Sequence, residues 1–432
     1  MNRRDEIASS LSRTWRVRRD PGVCDRATLN VPIRQVTSGP RAHWFGYYDI
    51  AAFDSTGERL LACASDFEWR APSPSDALEI GVIDLADRDR FTPLGTSRSW
   101  GWQHACLLQW RPGYRDDVVW KDRIGDERIT RITDERSGVE RILDTGFYAL
   151  SPDGNVALGC DLDRLEWMRP GYGCSALHVH RPTALAPQDS GVTRVDLNSG
   201  ERKLLVSLAE LQTLEPAEDR GRGGWHYVNH LSFSPDGRYF AAIHRWRRNL
   251  WTPRPYRAMT GFGSRLVVGA LDGSGLRGVD PSGRTSHFAW RSPSQIVAWT
   301  RPRGERSGVF AIDIQTGSSE HIPGFIENGH HSYLTLPGRA EPEWMLNDTY
   351  PKPSRLRQEL YLVHLATGRR YDLGSFAIAG LLKFGETRCD LHPRFSPTGD
   401  RISFDSAHSG RRQMYVAELS DFVRSFSSLA GE

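Results

Sequence analysis

The sequence predicts an all-β fold, a seven-bladed β-propeller, and three observations support this prediction. A turn of the S-P-D-G type between two strand-like runs recurs seven times, as "FDSTGERLLAC", "RPGYRDDVVW", "LSPDGNVALGC", "FSPDGRYFAAI", "RSPSQIVAW", "LPGRAEPEWML" and "FSPTGDRISFD". A second alternating run that ends in an Asp, Thr or Gly turn is interleaved with it, for example "GVTRVDLNSGER" and "GVFAIDIQTGSS". Only one short helical candidate, near "LVSLAELQTLE", competes with this pattern. Period-two alternation with regular turns is typical of antiparallel strands, and such repeats are typical of propeller blades.

The last repeat is one strand short. After "LHPRFS", "RISFDS" and "QMYVAEL" the chain soon stops, whereas "ATLNVPIRQV" near the N-terminus is rich in β-branched residues and has no partner in its own repeat. We expect this N-terminal strand to supply the missing strand and to close the ring. The predicted organisation is therefore an N-terminal extension over residues 1–26, a single propeller domain over 27–424 and a C-terminal tail over 425–432.

Composition excludes several classes of function. The net charge of +3 comes from 56 basic and 53 acidic residues without a long basic run, so we expect neither a nucleic-acid partner nor a membrane partner. The first residues contain no apolar core of signal-peptide length, so a cytoplasmic location is expected. The six cysteines form no C-x-x-C pair and are predicted to be reduced thiols. Phosphate-loop and G-x-S-x-G motifs are absent from the sequence.

The repeat also predicts where functional side chains lie. In a propeller blade the first strand lines the central channel and the second runs back, so the start of one and the end of the other share a face. The residues predicted at these positions include Asp49, His104, His230, His287, His331, Asp390 and His392 at first-strand starts, and His244, Arg245 and Asp348 at second-strand ends. Imidazole and carboxylate groups at one channel mouth suit a divalent metal or an acid–base site. For each position taken singly, a hydrogen bond between neighbouring blades is the alternative.

The pair Asp390 and His392 illustrates both possibilities. Their spacing of two residues puts both side chains on one face of a strand, which suits two ligands of one metal. The same spacing suits a buried hydrogen bond between them equally well.

Basic and aromatic residues add a second element to the predicted site. Arg220 and Arg222 lie on a Gly-rich segment that enters the fourth repeat, and Arg245 and Trp246 lie on the strand that returns. Arginine binds carboxylates through two parallel hydrogen bonds, which indicates an anionic ligand. Tryptophan faces beside polar groups are typical of sugar-binding sites, although packing between blades explains them as well.

Several of these segments together resemble one family. The succession "NHLSFSPDG", "AIHRW", "TSHFAW", "NGHHSY" and "HPRFSPTGDRISFDSAHSGRRQMY" is similar to the oligogalacturonate lyases, which are cytoplasmic seven-bladed propellers. The similarity covers roughly the C-terminal half of the chain, whereas the N-terminal half matches mainly in repeat spacing.

The resemblance implies an activity and a set of residue roles. It implies a divalent cation, typically Mn²⁺, and β-elimination at uronate linkages of a short acidic oligosaccharide. His244 would be the base, with Arg222 or Arg220 as its partner, and His287 and His392 would be metal ligands. Where the family has a glutamine and a second histidine, this chain has Arg388, Cys389 and Asp390, so Asp390 would substitute.

The remaining candidates follow from the same implication. His331 or His230 would complete the metal sphere, and His230, Arg245, Trp246, His104, Asp49 and Asp348 would contact the sugar. Two alternatives stay open. In the first, the chain is a glycan-binding or polysaccharide-accessory propeller without catalysis. In the second, it is a protein-interaction scaffold.

Overall fold

The computed structural model describes residues 27–173, 181–214, 223–280, 282–325, 327–334, 342–351, 356–378 and 384–420. The predicted extension over 1–26, the predicted tail over 425–432, and both Arg220 and Arg222 lie outside the described residues.

Seven antiparallel sheets make up the described chain, in agreement with the predicted seven-bladed propeller. Two strands precede the first blade, Ala27–Leu29 (β1) and Ile33–Gln35 (β2). Blade one contains Ala42–Trp44 (β3), Arg59–Ser65 (β4), Leu78–Asp84 (β5) and Arg90–Ser97 (β6). Blade two contains Gln109–Trp110 (β7), Asp117–Ile124 (β8), Glu127–Asp134 (β9) and Glu140–Leu143 (β10). Blade three contains Ala149–Leu150 (β11), Val156–Gly159 (β12), Gly191–Asp196 (β13) and Arg202–Ser207 (β14).

The remaining four blades follow the same order from the channel outwards. Blade four contains Trp225–Phe233 (β15), Tyr239–Arg247 (β16), Gly263–Ala270 (β17) and Arg277–Asp280 (β18). Blade five contains Phe288–Ser292 (β19), Gln295–Thr300 (β20), Gly308–Asp313 (β21) and Ser319–His321 (β22). Blade six contains Ser332–Leu334 (β23), Trp344–Asp348 (β24), Arg357–His364 (β25) and Arg370–Ala377 (β26). Blade seven contains Arg394–Phe395 (β27), Arg401–Ser406 (β28) and Gln413–Glu418 (β29).

The two N-terminal strands pair with the last two blades. Strand β1 pairs antiparallel with β26, with Ala27 opposite Phe376. Strand β2 pairs antiparallel with β29, with Ile33 opposite Ala417 and Gln35 opposite Tyr415. The beginning and the end of the described chain therefore share backbone hydrogen bonds in blade seven.

The S-P-D-G turns take the conformation that their glycines allow. Gly57, Gly154, Gly237 and Gly399 have φ angles of 75°, 68°, 69° and 72°, a region that costs other residues steric strain. At Gly154 a Cβ atom would also lie 2.1 Å from the carbonyl oxygen of Pro112, so only glycine fits. These turns lie at the end of the channel opposite the first-strand starts.

Three short helices interrupt the blades. Leu162–Met168 (α1) follows the second strand of blade three and is capped by Asp161, whose side chain accepts from the backbone N–H of Arg164. Leu208–Thr213 (α2) begins with a capping box of Ser207 and Glu210, and Arg254–Arg257 (α3) follows the second strand of blade four. No helix in the described ranges is long and apolar enough to cross a lipid bilayer.

Apolar side chains pack between the blades rather than in the channel. The second strands carry buried apolar residues at consecutive positions, as residues 60–64 of β4 show, because both faces of a blade pack against its neighbours. Trp44, Trp100 and Trp102 form an aromatic cluster between blades one and two. The cysteines of the described ranges, Cys63, Cys106, Cys160 and Cys389, form no disulfide bond, which agrees with the prediction of reduced thiols. The channel itself is left to polar and aromatic side chains, which form the candidate site.

Candidate metal centre and active site

Two consecutive tyrosines of the first blade, Tyr47 and Tyr48, fill the middle of the channel. They follow strand β3, and both are buried. Five imidazole rings surround them, and each ring centroid lies 4.5–5.8 Å from the ring centroid of Tyr47 or Tyr48. These rings belong to His104, His230, His287, His330 and His392. All five imidazoles are at most 4% exposed. We call these five residues the histidine cluster.

The cluster draws on five blades. His104, His287, His330 and His392 precede first strands, whereas His230 lies within the first strand of blade four, at a register shift in its pairing with β16. The structure thus brings together the predicted residues His104, His230, His287 and His392. His230 and His392 have φ angles of 51° and 42°. Residues other than glycine rarely adopt this left-handed region, and such strained positions concentrate at functional sites.

His330, Asp390 and His392 form a group that can hold a metal ion. Their potential ligand atoms all lie within 4.8 Å of one another. Asp390 Oδ2 lies 4.0 Å from His330 Nε2 and 3.8 Å from His392 Nε2. Nitrogen and carboxylate oxygen together form a donor set that first-row divalent metals accept.

Hydrogen bonds from the opposite ring nitrogens orient these imidazoles. His392 Nδ1 lies 2.8 Å from the carbonyl oxygen of Gly46, which can only accept, so Nδ1 carries the proton and Nε2 presents a lone pair. His330 Nδ1 lies 3.0 Å from both carboxylate oxygens of Asp348, so its Nε2 also presents a lone pair. His392 Nε2 has no hydrogen-bond partner among the described residues. This arrangement is typical of metal-binding histidines, whose second nitrogen is held by a carbonyl or carboxylate.

Asp348 was predicted to contact a sugar, but the structure places it behind the candidate ligands. Its Oδ1 accepts from the backbone N–H of His330 at 2.7 Å and its Oδ2 from that of His392 at 3.1 Å. Asp348 is fully buried. Its contacts are therefore those of a residue that positions ligands, because second-strand residues of blade six reach behind the cluster.

His287 reaches the same region through Tyr350. The Tyr350 hydroxyl lies 3.2 Å from His287 Nε2 and 3.1 Å from His330 Nε2. His287 Nδ1 lies 3.1 Å from Asn328 Oδ1, which leaves the lone pair on its Nε2. His287 lies outside the three-residue ligand group. Its Nε2 lone pair faces the Tyr350 hydroxyl, which also contacts His330 of that group.

Arg388 compensates the charge of Asp390. Its Nε donates to both carboxylate oxygens, at 2.6 and 2.7 Å, and both residues are 2% exposed. Burial lowers the pKa of Arg388, but the nearby carboxylate of Asp390 outweighs it, and the pKa lies well above the usual value. Asp390 therefore has a permanently charged partner.

Burial favours the neutral form of four histidines of the cluster. It lowers the pKa of His104, His230, His287 and His392 well below the usual value, and neighbouring arginines, lysine or imidazoles add to this effect. A neutral imidazole can bind a metal or accept a proton, whereas an imidazolium can do neither.

His331 and Asp49 do not lie where the sequence predicted. His331 follows His330 in an extended segment, so its side chain points the opposite way, and it is not part of the ligand group. Asp49 follows the two tyrosines and lies beyond them. Both line a cavity at the other end of the channel, beside the S-P-D-G turn residues Pro152 and Pro235. The repeat alone could not show that the chain crosses the channel at Tyr47.

The predicted base, His244, lies in a second group of side chains. Its Nε2 is 2.8 Å from His226 Nδ1, and its Nδ1 accepts from Arg265 Nε at 3.2 Å. Burial lowers its pKa well below the usual value, so the ring is neutral. Both ring nitrogens of His244 are engaged in this conformation. Trp246 packs beside these rings, with its centroid 5.7 Å from that of His244.

Arg245 points away from His244 on the same strand. Its Nε donates to Asn229 Oδ1 at 2.8 Å and its terminal nitrogen to the carbonyl oxygen of Ser286 at 3.1 Å. Burial lowers its pKa to about 10, and the nearby guanidinium of Arg169 contributes. Arg245 is thus charged and adjoins the histidine cluster rather than the His244 group.

Three acidic and basic side chains tie together the segments next to the cluster. Arg254 of α3 donates to both oxygens of Glu386, at 2.6 and 2.8 Å, and to Glu166 of α1 at 2.6 Å. Glu166 is fully buried, and burial raises its pKa to about 7 although Arg254 opposes the shift. These segments carry Arg169 and Arg388, so the network holds the polypeptide that buries the histidines.

Several site residues were not predicted. Arg169 lies 3.4 Å from His230 Nε2 and donates to the Tyr172 hydroxyl at 3.1 Å. Tyr47, Tyr350 and Tyr172 sit on irregular segments without a repeat position. The doubled tyrosine in "HWFGYYD" was the signal available for Tyr47, because two large aromatic rings at a first-strand position cannot both pack between blades.

Comparisons with known proteins address the fold. Neither a family model nor a curated protein matches this chain. Among solved structures, an oligogalacturonate lyase in complex with manganese aligns with a TM-score of 0.63 and 16% identity, and it covers 91% of this chain and 94% of that chain. An oligogalacturonate lyase from Vibrio parahaemolyticus aligns with a TM-score of 0.62 and 14% identity, and it covers 90% of this chain and 94% of that chain. At this level of identity the likeness concerns the fold. The chain has the seven-bladed propeller fold of the oligogalacturonate lyases over nine-tenths of its length.

Proposed function

We propose that this protein is a divalent-metal-dependent lyase that cleaves short uronate-containing oligosaccharides by β-elimination. The observation that carries the proposal is the buried group of His330, Asp390 and His392, whose ligand atoms converge within 4.8 Å in a lyase-type propeller. The manganese in the similar structure supports Mn²⁺ as the first metal to test.

The residues present fit a metal of this kind. His392 Nε2 is a buried atom whose lone pair has no hydrogen-bond partner among the described residues. A buried polar atom left unpaired lowers the free energy of unfolding by about 1–3 kcal/mol. His330, Asp390 and His392 would hold the ion, with His287 as the fourth candidate because its lone pair faces the Tyr350 hydroxyl. The bound cation would neutralise the substrate carboxylate and so acidify the adjacent C–H bond.

The chain supplies fixed positive charge beside this group. Arg169, Arg245 and Arg388 are all buried next to the histidine cluster. Within the part of the chain that the structure describes, only Arg388 of these three is paired with a carboxylate. A buried guanidinium that lacks a carboxylate partner favours an anionic ligand. This charge pattern supports an acidic sugar as the substrate.

The proton acceptor has two candidates. The resemblance assigns this role to His244, whose neutral ring must first release its contact with Arg265 or His226. His230 is the alternative, because its Nδ1 has no hydrogen-bond partner among the described residues and its ring adjoins His287 with centroids 5.5 Å apart. A base must reach the proton within hydrogen-bonding distance, so variants at both positions are required.

The test uses full-length protein with Mn²⁺ and a panel of pectic, alginate and glucuronan oligosaccharides. We expect the ultraviolet absorbance of an unsaturated uronate to rise for one member of the panel. His392→Ala should abolish both Mn²⁺ binding and turnover, whereas His321→Ala, an exposed histidine on β22, should affect neither. Loss of turnover with retained Mn²⁺ binding in His244→Ala or His230→Ala would identify the base. Absence of product across the panel would refute the proposal.

A further inference from the structure

The histidine cluster lies beneath a cover of side chains. The ring of Tyr172 packs against His104, with centroids 4.9 Å apart, and Arg169 lies 3.4 Å from His230 Nε2. Arg388 covers the side next to the candidate metal ligands, and all three covering residues are buried. The two central tyrosines fill the channel on the opposite side. A ligand therefore reaches the imidazoles only after part of the surrounding protein has moved.

A short strap, residues 254–258, lies across this cover. It consists of α3 and Ala258, whose carbonyl oxygen accepts from Arg169 Nε at 3.1 Å. The guanidinium of Arg257 lies 4.8 Å from the ring centroid of Trp167, which belongs to α1. Arg169 thus lies between the strap on one side and His230 on the other.

Polar contacts rather than apolar packing hold the strap. Helix α1 contributes Leu162 and Leu165 to an apolar cluster between blades, whereas no residue of the strap belongs to an apolar cluster of the described ranges. Tyr256 of the strap is 53% exposed, and its ring lies 5.3 Å from that of the exposed Phe384. Segments with few buried apolar contacts open locally more readily than a packed core does.

Arg254 fastens the strap at two points. Its Nε and Nη2 donate to the two carboxylate oxygens of Glu386, at 2.6 and 2.8 Å, and Nη2 also donates to Glu166 at 2.6 Å. Glu166 is itself fixed, because its other oxygen accepts from the backbone N–H groups of Gly171 and Gly173. We call these two ion pairs the latch. The Arg254 side chain is 38% exposed, so water can solvate its guanidinium when the ion pairs separate.

We propose that the strap is a lid over the histidine cluster and that separation of the latch opens it to admit metal and substrate. What enters rests on the proposed function, whereas the opening is a property of the fold. When the strap moves, the Ala258 carbonyl releases Arg169, which no longer holds its place beside His230. Closure excludes water from the imidazoles and buried guanidinium groups, where electrostatic interactions are then stronger.

The backbone on either side of the strap suits such a movement. Pro253 and Pro255 restrict the backbone at its start, so the short helix moves as one piece. Gly261 follows the strap with a φ angle of 76°, in the region that glycine reaches without strain. This glycine is a candidate hinge.

Acylation of histidines by diethyl pyrocarbonate tests the lid without metal or sugar, because the reagent needs access to an unprotonated ring nitrogen. Mass spectrometry of the full-length protein gives a rate for each histidine. We expect His392 to react at least tenfold more slowly than the exposed His321. Arg254→Met should raise the rate at His392 at least fivefold and leave that of His43, a buried histidine of blade one, unchanged.

The triple variant Arg254→Met/Glu166→Gln/Glu386→Gln separates opening of the lid from loss of stability. It lacks the latch but buries no unpaired carboxylate, so we expect fast acylation of His392 together with a higher melting temperature than that of the single variant. Unchanged acylation of His392 in both variants would overturn the lid. An equal acceleration at His43 and His392 would overturn it as well, because the whole fold would then have loosened.

Stopped-flow mixing with Mn²⁺, monitored by intrinsic fluorescence, distinguishes the lid from the proposed function. Faster binding and faster release of Mn²⁺ in both variants would support the two together. Accelerated acylation of His392 in proteins that bind no Mn²⁺ would support the lid and refute the metal site. A protected His392 in proteins that all bind Mn²⁺ at one rate would refute the lid and leave the proposed function standing.

Discussion

Arg388 and Asp390 form a buried two-oxygen ion pair at the centre of the candidate metal site, with Arg388 Nε 2.6 and 2.7 Å from the two carboxylate oxygens. A carboxylate ligand usually has its charge compensated by the metal. Here an arginine two residues away already provides that compensation, so the fold does not depend on a cation to bury Asp390.

This relationship predicts a metal-dependent stability for Arg388→Met. Removing one partner of a buried pair costs about 3–5 kcal/mol, because the remaining charge is left in a low-dielectric surrounding. Mn²⁺ would restore that compensation. We expect a large loss of melting temperature in metal-free protein and a larger rise on adding Mn²⁺ than in the unaltered protein. Equal rises in both proteins would contradict the prediction, and Arg388→Met/Asp390→Asn serves as the control.

The Tyr350 hydroxyl competes for the imidazole lone pairs that a metal would use. It can donate one hydrogen, to His287 Nε2 at 3.2 Å or to His330 Nε2 at 3.1 Å. Tyr350→Phe removes this donor while keeping the ring, at a cost of about 1 kcal/mol in stability. We expect Mn²⁺ to bind the variant at least as tightly as it binds the unaltered protein, by titration calorimetry. Tenfold weaker binding would instead identify the hydroxyl as a ligand.

We expect the substitution Asp49→Asn to stabilise the protein at high pH but not at low pH. Although Asp49 has an exposed surface in the cavity that it lines, desolvation by the surrounding protein raises the pKa of its carboxyl from the usual 3.8 to about 7. The folded protein therefore holds a proton that the unfolded chain releases between these values, and its stability falls as pH rises through that window. Asp49→Asn removes the effect, so its melting temperature should exceed that of the unaltered protein at pH 8 and match it near pH 4. A difference that is equal at both pH values would refute this assignment.

Arg254 links three segments through Glu166 and Glu386. Arg254→Met leaves Glu166 buried without a cation, and we expect the free energy of unfolding to fall by about 2 kcal/mol at pH 8. This is less than for a fully buried pair, because the Arg254 side chain is 38% exposed. At pH 5 the loss should be smaller, since Glu166, with a pKa of about 7, is then protonated. Urea unfolding measures both values.

The triple variant Arg254→Met/Glu166→Gln/Glu386→Gln is the matched control for that experiment. It removes all three charges, so most of the stability at pH 8 should return. A triple variant as unstable as the single one would show that packing, rather than charge, explains the effect.

The pairing of the two N-terminal strands lets us predict the effect of deleting them. We infer that pairing of β2 with β29 keeps the ring closed. A deletion of residues 1–35 would leave the outer edges of β26 and β29 unpaired, and exposed edges favour association between chains. We expect broadened thermal unfolding and aggregation by light scattering. A deletion of residues 1–26 keeps both strands and should unfold like the full-length protein, whereas identical behaviour of both deletions would contradict the inference.

The comparison of sequence and structure separates two kinds of information. Blade number, strand order and the positions of His104, His230, His287 and His392 follow from local patterns, because turns with glycine at positive φ and period-two alternation depend on neighbouring residues alone. These features were predictable from the sequence.

The composition of the site depends on contacts between residues far apart in the chain. The place of His330 rather than His331 in the ligand group, the position of Asp348 behind the ligands and the hydrogen bonds of His244 each depend on contacts within or between blades, and Asp49 lines the opposite cavity. Tyr350 bridges two blades, and Arg254 bridges three segments. The sequence by itself determined the propeller and the residue types at its channel. Which imidazole lone pairs meet, and which side chains surround each cavity, was decided by tertiary packing, because a one-residue shift in an extended segment turns a side chain to the opposite face.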